Sequence, residues 1–525
     1  MRDFICLLPQ TAARYAIEPR TYSYAQTAQA VEALRNRYRS AGYGHGHRAG
    51  LLLENRPAFF FHWLALNALG VSVVPIHPDW RAGELEYLLG HSEMCLAIAP
   101  AARGRILARA AEQVGSRLVV ATESLDDLED APLGAPAANR PPDIDTEAAL
   151  LYTSGSTGRP KGCVLANEYF LWGGKWYLTL GGLCAVRPHS DRLITPLPMS
   201  HMNAMAFSSM VMLLTGGCVV PLDRFHPESW WDCVRDSRAT IVHYLGVMPA
   251  MLLGAAASPR DRDHQVRFGL GSGVGNLHAA FEERFGFPLV EGWAMTEAGA
   301  GAAIVASSTS RKVGTACIGR PAAGIDYRLV DELGNNVPNG ERGELLVRRA
   351  GPRPRFGFFR EYLKDPLAMA AAWKDGYFHT GDIVQVDADG DFHFIDRQKN
   401  IIRRSGENIS AVEVEGVLLQ HPQVAAVGVT AVPDAVRGDE VMACIVLRKP
   451  IEPPDRDALA RDIVEFCLAR LAYFKAPGYV TFCERLPLTS TEKVQRTQLR
   501  DLSLGALGGA SCIDMRAAKK RESAG

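Results

Sequence analysis

The chain contains 525 residues, which is too long for one ordinary hydrophobic core and predicts two or more domains. Hydrophobic residues make up 47% and charged residues 22%, a composition typical of globular proteins and not of disordered or fibrous ones. The formal net charge at pH 7 is −1, so the chain lacks the electrostatic signature of proteins that bind nucleic acid or anionic membranes.

The cysteines and the apolar segments favour a location in the cytoplasm. Eleven cysteines are scattered along the chain, and no two of them form a Cys-x-x-Cys pair. This pattern favours free thiols in a reducing cytoplasm over a zinc site or a disulfide framework. The apolar stretch at the N-terminus is too short for a signal peptide, and the long apolar segment 58–75 is interrupted by His62 and Asn67. We therefore expect a cytoplasmic protein with no membrane span, in which 58–75 forms a buried helix, a turn and a strand.

The first three quarters of the chain alternate valine-rich apolar runs with helical patterns. Such runs lie at 118–121, 218–221 and 240–243. Alternating strands and helices are typical of α/β proteins with largely parallel sheets. We therefore predict an α/β fold class, with a large N-terminal domain of layered α/β subdomains over residues 1–396.

A smaller α+β domain is predicted over residues 397–505. The spacing of Ser and Glu at 410–413 is that of a capping box, which predicts a helix that begins there. A strand is expected at 424–432, and a second helix is expected from about residue 457. The tail at 506–525 is rich in Ala, Gly and Lys and is predicted to be disordered.

The segment 152–162 has the composition of a phosphate-binding loop. It runs Tyr-Thr-Ser-Gly-Ser-Thr-Gly-Arg-Pro-Lys-Gly and follows an apolar stretch at 148–152 that predicts a buried strand. Its glycines permit close approach of the backbone to an anion, while its hydroxyls and amides supply hydrogen-bond donors. The spacing is not that of a Walker loop, because Lys161 is followed by Gly162. A flexible surface turn is the alternative interpretation.

Further segments carry side chains that are suited to nucleotide chemistry. Trp293, Thr296 and Glu297 offer an aromatic face, a hydroxyl donor and an oxygen ligand for Mg²⁺. Asp382 can accept hydrogen bonds from ribose hydroxyls, and Lys493 supplies a cation late in the chain. Each residue also has an ordinary structural interpretation, such as a core position for Trp293 or a turn position for Asp382. The order and spacing of the segments together favour the functional interpretation.

A segment at the predicted domain junction, 396–409, completes the pattern. It runs Asp-Arg-Gln-Lys-Asn-Ile-Ile-Arg-Arg-Ser-Gly-Glu-Asn-Ile. With these motifs the chain resembles the acyl-adenylate-forming superfamily, which includes acyl-CoA synthetases, luciferases and stand-alone adenylation domains. The resemblance extends over about residues 10–505, and the stretch 357–448 is most similar to crotonobetaine/carnitine-type and related small-acid CoA ligases. It implies a small, mobile C-terminal domain.

The resemblance implies a role for each matching residue. The implied ATP site contains Thr153, Ser154, Gly155, Ser156, Thr157, Gly158, Lys161, Gly273, Val274, Gly275, Trp293, Asp382 and Arg397. The implied catalytic residues are Lys493, Thr296, Glu297 and His201, and Glu297 is the implied ligand of Mg²⁺. The implied hinge is Lys399, and the implied coenzyme A site contains Arg403, Ser405, Gly406 and Glu407. The implied acyl pocket contains Met202, Asn203, Met205, Val247, Met248, Gly271 and Ala300.

Within the implied ATP site, the parts of the nucleotide have separate partners. The loop 153–161 would hold the β- and γ-phosphates, and Thr296 would bind the α-phosphate. Trp293 would stack on adenine, while Asp382 and Arg397 would bind the ribose.

The chain departs from the family pattern at two positions. Trp293 and Ala294 stand where the family usually has Tyr and Gly, and an indole stacks on a base at least as well as a phenol. Glu492 precedes Lys493 where the family usually has glycine, so a carboxylate beside Lys493 could tether its ammonium group.

The implied activity is that of an ATP-dependent carboxylic acid–CoA ligase. Because the acid is already ionised at pH 7, the first step needs no general base. The obstacle is repulsion between the carboxylate and the α-phosphate, which Mg²⁺ and Lys493 would reduce as acyl-AMP and pyrophosphate form. Coenzyme A would then attack the acyl carbonyl and release AMP, after the C-terminal domain has rotated about Lys399 and withdrawn Lys493.

Three alternatives stay open from the sequence. One is an adenylating enzyme that loads the acid onto a separate carrier protein, although the chain has no fused carrier domain. Another is a nucleotide-binding protein with little catalysis, for which Glu492 is the only support. The last is a nicotinamide dehydrogenase, but the glycines at 271, 273 and 275 lack the full spacing of a dinucleotide-binding motif.

The expected partner is a small-molecule carboxylic acid, and no nucleic-acid partner is expected. The implied acyl pocket is rich in methionine and contains no cationic residue, which suits an acyl or aryl group of small to medium size. Amino-acid-activating relatives commonly carry an aspartate near the position of Asn203, so an α-amino acid is disfavoured. The sequence does not identify the acid, and it leaves a homodimer open.

Overall fold

A computed structural model describes most of the chain. The described residues are 2–132, 140–153, 160–245, 247–274, 277–308, 311–331, 333–397, 401–449, 455–487, 494, 496–509 and 511–519.

The chain divides into two compact units. The first comprises 1–78, 89–152 and 162–398, and the second comprises 79–88, 153–161 and 399–525. The main boundary, between residues 398 and 399, is close to the boundary predicted at 396. Within the second unit, the segment 79–88 is joined to the C-terminal part by a 2.5 Å hydrogen bond from Lys475 Nζ to Glu84 Oε1.

The strands, in chain order, are β1 (Asp3–Leu7), β2 (Arg20–Ser23), β3 (Arg48–Leu51), β4 (Ser72–Pro75), β5 (Leu96–Ile98), β6 (Val119–Ala121), β7 (Glu147–Thr153), β8 (Lys161–Ala166), β9 (Arg192–Thr195), β10 (Cys218–Pro221), β11 (Ile241–Leu245), β12 (Phe268–Ser272), β13 (Leu289–Trp293), β14 (Ile304–Val305), β15 (Cys317–Pro321), β16 (Ile325–Val330), β17 (Arg342–Arg349), β18 (Glu361–Tyr362), β19 (Trp373–Lys374), β20 (Tyr377–Val386), β21 (Phe392–Arg397), β22 (Ile401–Arg404), β23 (Glu407–Ser410), β24 (Val424–Asp434), β25 (Gly438–Leu447), β26 (Tyr479–Phe482) and β27 (Cys512–Asp514).

The α-helices are α1 (Pro9–Tyr15), α2 (Tyr24–Ser40), α3 (Pro57–Asn67), α4 (Ala82–Ser92), α5 (Ala101–Gln113), α6 (Asn167–Thr179), α7 (Met210–Thr215), α8 (Trp230–Ser237), α9 (Val247–Gly254), α10 (His278–Phe285), α11 (Pro366–Ala372), α12 (Ala411–Leu418), α13 (Arg456–Leu468) and α14 (Arg496–Ala506). A π-helical segment, Asn203–Ser209, precedes α7, and short 3-10 turns occur at Gly182–Cys184, Gly299–Gly301 and Arg516–Ala518.

Two sets of parallel strands form the body of the first unit. In one sheet, β13, β12, β11, β9, β10 and β1 are parallel neighbours in this order. In the other, β7, β4, β3, β5 and β6 are parallel neighbours. Most of these strands are buried along their length, as expected where helices cover both faces of a sheet. The predicted α/β class with largely parallel sheets is therefore confirmed, and β10 and β11 correspond to the predicted strands at 218–221 and 240–243.

Antiparallel strands extend the first sheet and bring later parts of the chain to it. β13 pairs with β14, and the order continues through β15, β21, β20 and β17 to β16. In this extension, Asp382 of β20 lies opposite Arg397 of β21. The predicted ribose-binding residue is therefore in the same sheet as Trp293, the last residue of β13.

The apolar segment 58–75 forms α3 and β4, as predicted. Pro57 begins α3, where its missing N–H leaves no hydrogen bond unmade. The helix buries Phe59, Phe60 and Trp63, so the apolar run belongs to the core. Among the described residues, no helix combines the length and the apolar character that crossing a membrane requires.

The second unit has the predicted α+β character. Its sheet has the order β23, β22, β25, β26 and β27, and β24 also pairs with β25. Helix α12 begins at Ala411, next to the predicted capping box, and α13 begins at Arg456. The two helices contribute Val414 and Ile463 to the buried core of this unit.

The C-terminal tail differs from its prediction. Disorder was expected over 506–525, but strand β27 pairs antiparallel with β26, with Thr481 opposite Cys512. Met515 and Lys519 are buried, which the small-residue composition of the tail did not indicate. The expectation of disorder is therefore wrong for 511–519, because a few buried side chains and the hydrogen bonds of one edge strand hold this segment. Residues 520–525 lie outside the described part of the chain.

Candidate active site

The loop that follows β12 is held by a buried carboxylate. Gly273 N and Val274 N donate hydrogen bonds of 2.9 and 3.1 Å to the same oxygen, Oε1 of Glu291. Glu291 belongs to the neighbouring parallel strand β13, where it lies opposite Gly271. Gly273 adopts φ of +82°, a conformation that favours glycine. Gly273 and Val274, two residues of the implied ATP site, are thus fixed at the carboxyl end of β12, and open α/β sheets usually bind ligands at this end of their strands.

Trp293 and Asp382 form a buried pair. Trp293 Nε1 donates a 2.7 Å hydrogen bond to Asp382 Oδ2. The Trp293 side chain is 5% exposed and Asp382 is fully buried. Asp382 N donates to Thr380 Oγ1 at 3.0 Å, which fixes the backbone of this part of β20. The predicted adenine-stacking residue therefore orients the predicted ribose-binding carboxylate.

The segment after β13 is anchored at the two predicted catalytic residues. Tyr169 Oη donates a 2.9 Å hydrogen bond to the carbonyl oxygen of Thr296. Tyr362 Oη donates a 3.0 Å hydrogen bond to Glu297 Oε1, and Phe359 N donates to the Glu297 carbonyl oxygen at 3.0 Å. Burial and the neighbouring Glu297 carboxylate raise the pKa of Tyr362 well above its usual value. Tyr362 is therefore a permanent donor to Glu297 at physiological pH.

The predicted phosphate-binding loop is described only at its ends. Thr153 ends β7 and Lys161 begins β8, and both residues are half-buried. The predicted positions between them, Ser154, Gly155, Ser156, Thr157 and Gly158, lie outside the described residues. In the second unit, Tyr87 Oη donates a 2.9 Å hydrogen bond to the carbonyl oxygen of Pro160, next to Lys161.

The segment that carries His201 is organised by a buried asparagine. Asn55 Nδ2 donates to the carbonyl oxygens of Leu197 and Leu222 at 2.9 and 2.7 Å. Its Oδ1 accepts a 2.9 Å hydrogen bond from Met199 N. The ring of His77 lies beside that of His201, with 6.3 Å between the centroids. Asn55 thereby ties together the loops that follow β9 and β10, and two histidines meet at this place.

Asn203, a predicted acyl-pocket residue, takes part in a buried hydrogen-bond network. Its Oδ1 lies 2.9 Å from His243 Nδ1, and Ser208 Oγ lies 2.7 Å from the same ring nitrogen. His243 Nε2 lies 3.0 Å from Tyr177 Oη, and the two rings are stacked. Burial lowers the pKa of His243 to about 3, so the imidazole is neutral at physiological pH. The network fixes the π-helical turn that begins at Asn203.

The other predicted pocket residues belong to two separate apolar clusters. Met202, Met205 and Ala300 are buried in the main core cluster of the first unit. Met248 is buried in a second cluster together with Val274. At Gly271 a Cβ atom would lie only 2.2 Å from the carbonyl oxygen of Tyr244, so glycine is required by close packing of backbone. The side chain of Val247 is outside the described part.

The predicted coenzyme A residues lie on the β22–β23 hairpin of the second unit. Ser405 and Gly406 form its turn with φ of +51° and +86°, as two-residue hairpin turns with positive φ at both central positions require. Gly406 is exposed, and Glu407 is the first residue of β23. Arg403 N donates to Asp439 Oδ2 at 3.2 Å. The sequence predicts these residues as one motif. In the structure Ser405 and Gly406 form a tight turn, and Arg403 and Glu407 lie in the two strands that flank it.

Besides the loop positions 154–158, three more predicted residues lie outside the described residues, namely Gly275, Lys399 and Lys493. Arg397 is described by its backbone, which pairs with Asp382 across β21 and β20. Sequence reasoning missed four residues that support the site: Asn55, His77, Glu291 and Tyr362. The signal that could have pointed to Asn55 and His77 is a polar residue at the end of a buried apolar run, whereas Glu291 and Tyr362 stand out only once their partners are seen.

The site of the first unit therefore combines an aromatic ring, buried carboxylates and a hydroxyl. These groups suit a purine nucleotide, its ribose and a hard metal ion. Trp293 ends β13, Thr296 and Glu297 follow it closely, and Asp382 belongs to β20, so the sheet largely sets their positions.

Comparisons with known proteins identify the family of the chain. The family model described as AMP-binding enzyme matches residues 8–363, and the model of the AMP-binding enzyme C-terminal domain matches residues 413–493. A feruloyl-CoA synthase from an Amycolatopsis species is 33% identical over 486 residues, which cover 91% of this chain and 93% of the relative. A crotonobetaine/carnitine–CoA ligase from Shigella flexneri is 28% identical over 495 residues, with 91% and 93% covered.

A solved structure shows the same fold. The o-succinylbenzoate CoA synthetase from Bacillus subtilis superimposes with a TM-score of 0.79 at 23% identity, covering 95% of this chain and 96% of that one. The matches in sequence extend over both units and identify relatives that are acyl-CoA synthetases. The chain therefore belongs to the AMP-binding enzyme family, as an ATP-dependent acid–CoA ligase.

Proposed function

We propose that the first unit binds the acid and the adenosine part of ATP, and that the second unit supplies the loop at 153–161, Lys493 for adenylation and the β22–β23 hairpin for thioester formation. The observation that carries this proposal is the buried Trp293–Asp382 pair beside the loop held by Glu291. This pair would offer a nucleotide an aromatic face and an oriented carboxylate, supplied by two strands of the same sheet.

The adenosine part of ATP would lie between Trp293 and the loop at 273–274. Because Asp382 Oδ2 accepts from the indole, the carboxylate is fixed in one orientation, and we assign it to the ribose hydroxyls. Arg397, paired with Asp382 through the backbone, is the proposed second ribose ligand.

The triphosphate would extend toward Thr296 and Glu297 and be held by the loop at 153–161. Glu297 is a buried carboxylate that accepts a hydrogen bond from the Tyr362 hydroxyl, and it follows Thr296 directly in the chain. This all-oxygen donor set fits Mg²⁺, which prefers carboxylates, phosphates and water. Bound Mg²⁺ supplies positive charge to the phosphate oxygens. Tyr362 would keep the Glu297 carboxylate in the orientation that the metal ion requires.

The first half-reaction would form acyl-AMP. An oxygen of the ionised carboxylate attacks the α-phosphorus, and the bond from this phosphorus to the pyrophosphate oxygen breaks. The Lys493 ammonium lowers the repulsion between the two anions, and Thr296 orients the α-phosphate oxygens. His201, held by the segment that Asn55 fixes, would lie at the reacting carboxylate.

The second half-reaction would transfer the acyl group to sulfur. The thiol of coenzyme A attacks the acyl carbonyl, loses its proton and expels AMP as the bond from the carbonyl carbon to the phosphate oxygen breaks. For this step Lys493 must leave the site, and rotation about Lys399 is the proposed means. The turn at Ser405 and Gly406, with Arg403 and Glu407 beside it, would then line the path of the thiol.

The acid would be an apolar acyl or aryl acid of small to medium size. Met202, Met205, Met248 and Ala300 are buried and apolar, so they suit a substrate side chain without charge. The names of two relatives, a feruloyl-CoA synthase and a crotonobetaine/carnitine–CoA ligase, support the proposal of a small carboxylic acid. We also propose a cytoplasmic location, since all eleven cysteines are free.

A screen of carboxylic acids tests this function. Each acid is incubated with the protein, ATP and Mg²⁺, and AMP release is followed with and without coenzyme A. A ligase releases AMP steadily only when coenzyme A is present, together with an acyl-CoA thioester of the same amount. AMP release that is independent of coenzyme A for every acid would contradict the proposal.

A further inference from the structure

The C-terminal tail adds a structural element beyond the part of the chain that matches the C-terminal family model, which ends at residue 493. Strand β27 pairs with β26, and Met515 N donates a 2.8 Å hydrogen bond to the carbonyl oxygen of Gly478. Arg516 then pairs with Asp434 at 3.0 Å, so the tail is attached to the edge of the sheet at several points.

The tail ends in a buried ion cluster at Lys519. Lys519 Nζ donates a 2.6 Å hydrogen bond to Glu440 Oε1 and a 3.3 Å hydrogen bond to the carbonyl oxygen of Phe474. Glu440 is fully buried and also accepts from Arg404 Nε, with 2.9 and 2.8 Å to its two oxygens. At Gly478 a Cβ atom would lie 2.4 Å from Glu440 Cδ, so this glycine makes room for the carboxylate.

The charges in this cluster do not balance. Two cations, Arg404 and Lys519, share the single carboxylate of Glu440, and all three side chains are almost completely buried. Burial and the neighbouring Arg404 guanidinium lower the pKa of Lys519 to about 7, against the opposing effects of Glu440 and of the Cys467 thiol. An apolar side chain at position 519 would fill the same space without the desolvation cost of a second cation. Filling of the core therefore does not explain a lysine here.

The cluster is connected directly to the hairpin turn of the proposed coenzyme A site. Arg404 is the last residue of β22 and is followed by the turn residues Ser405 and Gly406. Ser405 N donates a 2.9 Å hydrogen bond to the carbonyl oxygen of Arg437, on the approach to the strand that carries Glu440. Lys519 thus holds the Glu440 carboxylate, and this carboxylate binds the Arg404 guanidinium at the base of the hairpin turn.

We propose that Lys519 is a positioning residue for thioester formation, acting through Glu440 and Arg404 on the turn at Ser405 and Gly406. The proposal rests on the proposed function of this hairpin in the second half-reaction. The tail at 511–519 would therefore position the turn at Ser405 and Gly406, and it would not take part in binding ATP or the acid. The first half-reaction should therefore be insensitive to Lys519.

The test is to separate the two half-reactions in the full-length variant Lys519→Met, which keeps the length and apolar volume of the side chain. Adenylation is measured as acid-dependent exchange of pyrophosphate into ATP, and thioester formation is measured with supplied acyl-adenylate and coenzyme A. We expect thioester formation to fall by about tenfold or more, since small displacements of reacting groups have effects of this size. Adenylation should stay within about twofold of the unaltered protein.

The matched control is Arg516→Gln, which loosens the same tail at its exposed ion pairs with Asp434 and Asp514 but leaves Glu440 untouched. It should preserve both half-reactions. If Lys519→Met fails to fold, as judged by thermal unfolding, Lys519→Gln replaces it and the same comparison decides. Equal loss of both half-reactions, or loss of neither, would overturn the role of Lys519. Absence of thioester formation in the unaltered protein would instead contradict the proposed function itself.

Discussion

The indole nitrogen of Trp293 donates a 2.7 Å hydrogen bond to Oδ2 of Asp382, a residue of a different strand in the same sheet. Both side chains are buried, so the bond is protected from competition with water. The residue proposed to stack on adenine and the residue proposed to bind ribose are thus a single unit, and a change in one should affect the other.

The first prediction concerns this pair. Trp293→Phe retains an aromatic face but removes the donor to Asp382. We expect KM for ATP to rise by about tenfold or more, because hydrogen bonds to charged groups contribute roughly 1.5–3 kcal/mol. Steady-state kinetics with varied ATP measures the effect. Trp63→Phe is the matched control, since Trp63 is also buried and its ring nitrogen has no hydrogen-bond partner among the described residues. An equal rise in KM for both variants would argue against the role of the bond.

The second prediction concerns the proposed metal ligand. Tyr362→Phe removes the hydroxyl that donates to Glu297 Oε1. We expect the Mg²⁺ concentration that gives half-maximal adenylation to rise by about tenfold, the usual cost of losing an outer partner of a metal ligand. Tyr169→Phe serves as the control, because its hydroxyl contacts the Thr296 carbonyl and leaves Glu297 unchanged. An unaltered Mg²⁺ dependence in Tyr362→Phe would show that this hydroxyl does not orient the carboxylate.

The third prediction concerns Asn55. Asn55→Leu is close in size but loses three hydrogen bonds that connect the loops after β9 and β10. We expect the free energy of unfolding to fall by about 3 kcal/mol, at roughly 1 kcal/mol for each bond, and kcat to fall because His201 is displaced. Asn67→Leu loses two backbone contacts elsewhere, so it should lower stability and leave kcat unchanged. Denaturant unfolding and steady-state kinetics separate the two effects.

The fourth prediction concerns the pH dependence of stability. Burial lowers the pKa of His243 from its usual value near 6.5 to about 3, and its ring contacts Asn203, Ser208 and Tyr177, which are uncharged. Below pH 6.5 the unfolded chain takes up a proton at this position that the folded protein does not. The contribution of His243 to stability is therefore complete above pH 6.5 and is lost as the pH falls toward 3.

Unfolding in urea at several pH values tests this dependence. Between about pH 6 and pH 3, the free energy of unfolding of the unaltered protein should fall relative to that of His243→Gln by about 1.4 kcal/mol per pH unit. The difference should vanish above pH 7, apart from a constant offset. Parallel curves over the whole range would mean that His243 is protonated in the folded protein at its ordinary pKa.

The sequence predicted the class of fold and the residue types of the site more successfully than their connections. Valine-rich runs predicted β10 and β11, and the residue types at 293, 296 and 297 suggested a nucleotide site, because these signals are local. The bond from Trp293 to Asp382 joins residues 89 positions apart and depends on the strand order of the extended sheet, which no local pattern reveals.

The tail shows the opposite case, in which local composition was misleading. Small residues and lysines predict disorder, yet one edge strand and the buried side chains of Met515 and Lys519 order the segment. The partner of Lys519, Glu440, is a charged residue within an apolar strand, and only the fold shows that the two charges meet. The periodicity and composition of the sequence do not predict long-range pairing of this kind.

The central claim is that one cation from the C-terminal part of the chain serves adenylation and is then withdrawn for thioester formation. The most direct measurement is to compare both half-reactions of Lys493→Ala, using pyrophosphate exchange for the first and supplied acyl-adenylate with coenzyme A for the second. The account predicts that adenylation falls by about a thousandfold, as for the loss of a main electrostatic group, while capture by coenzyme A is nearly unchanged. Equal loss in both half-reactions would contradict it.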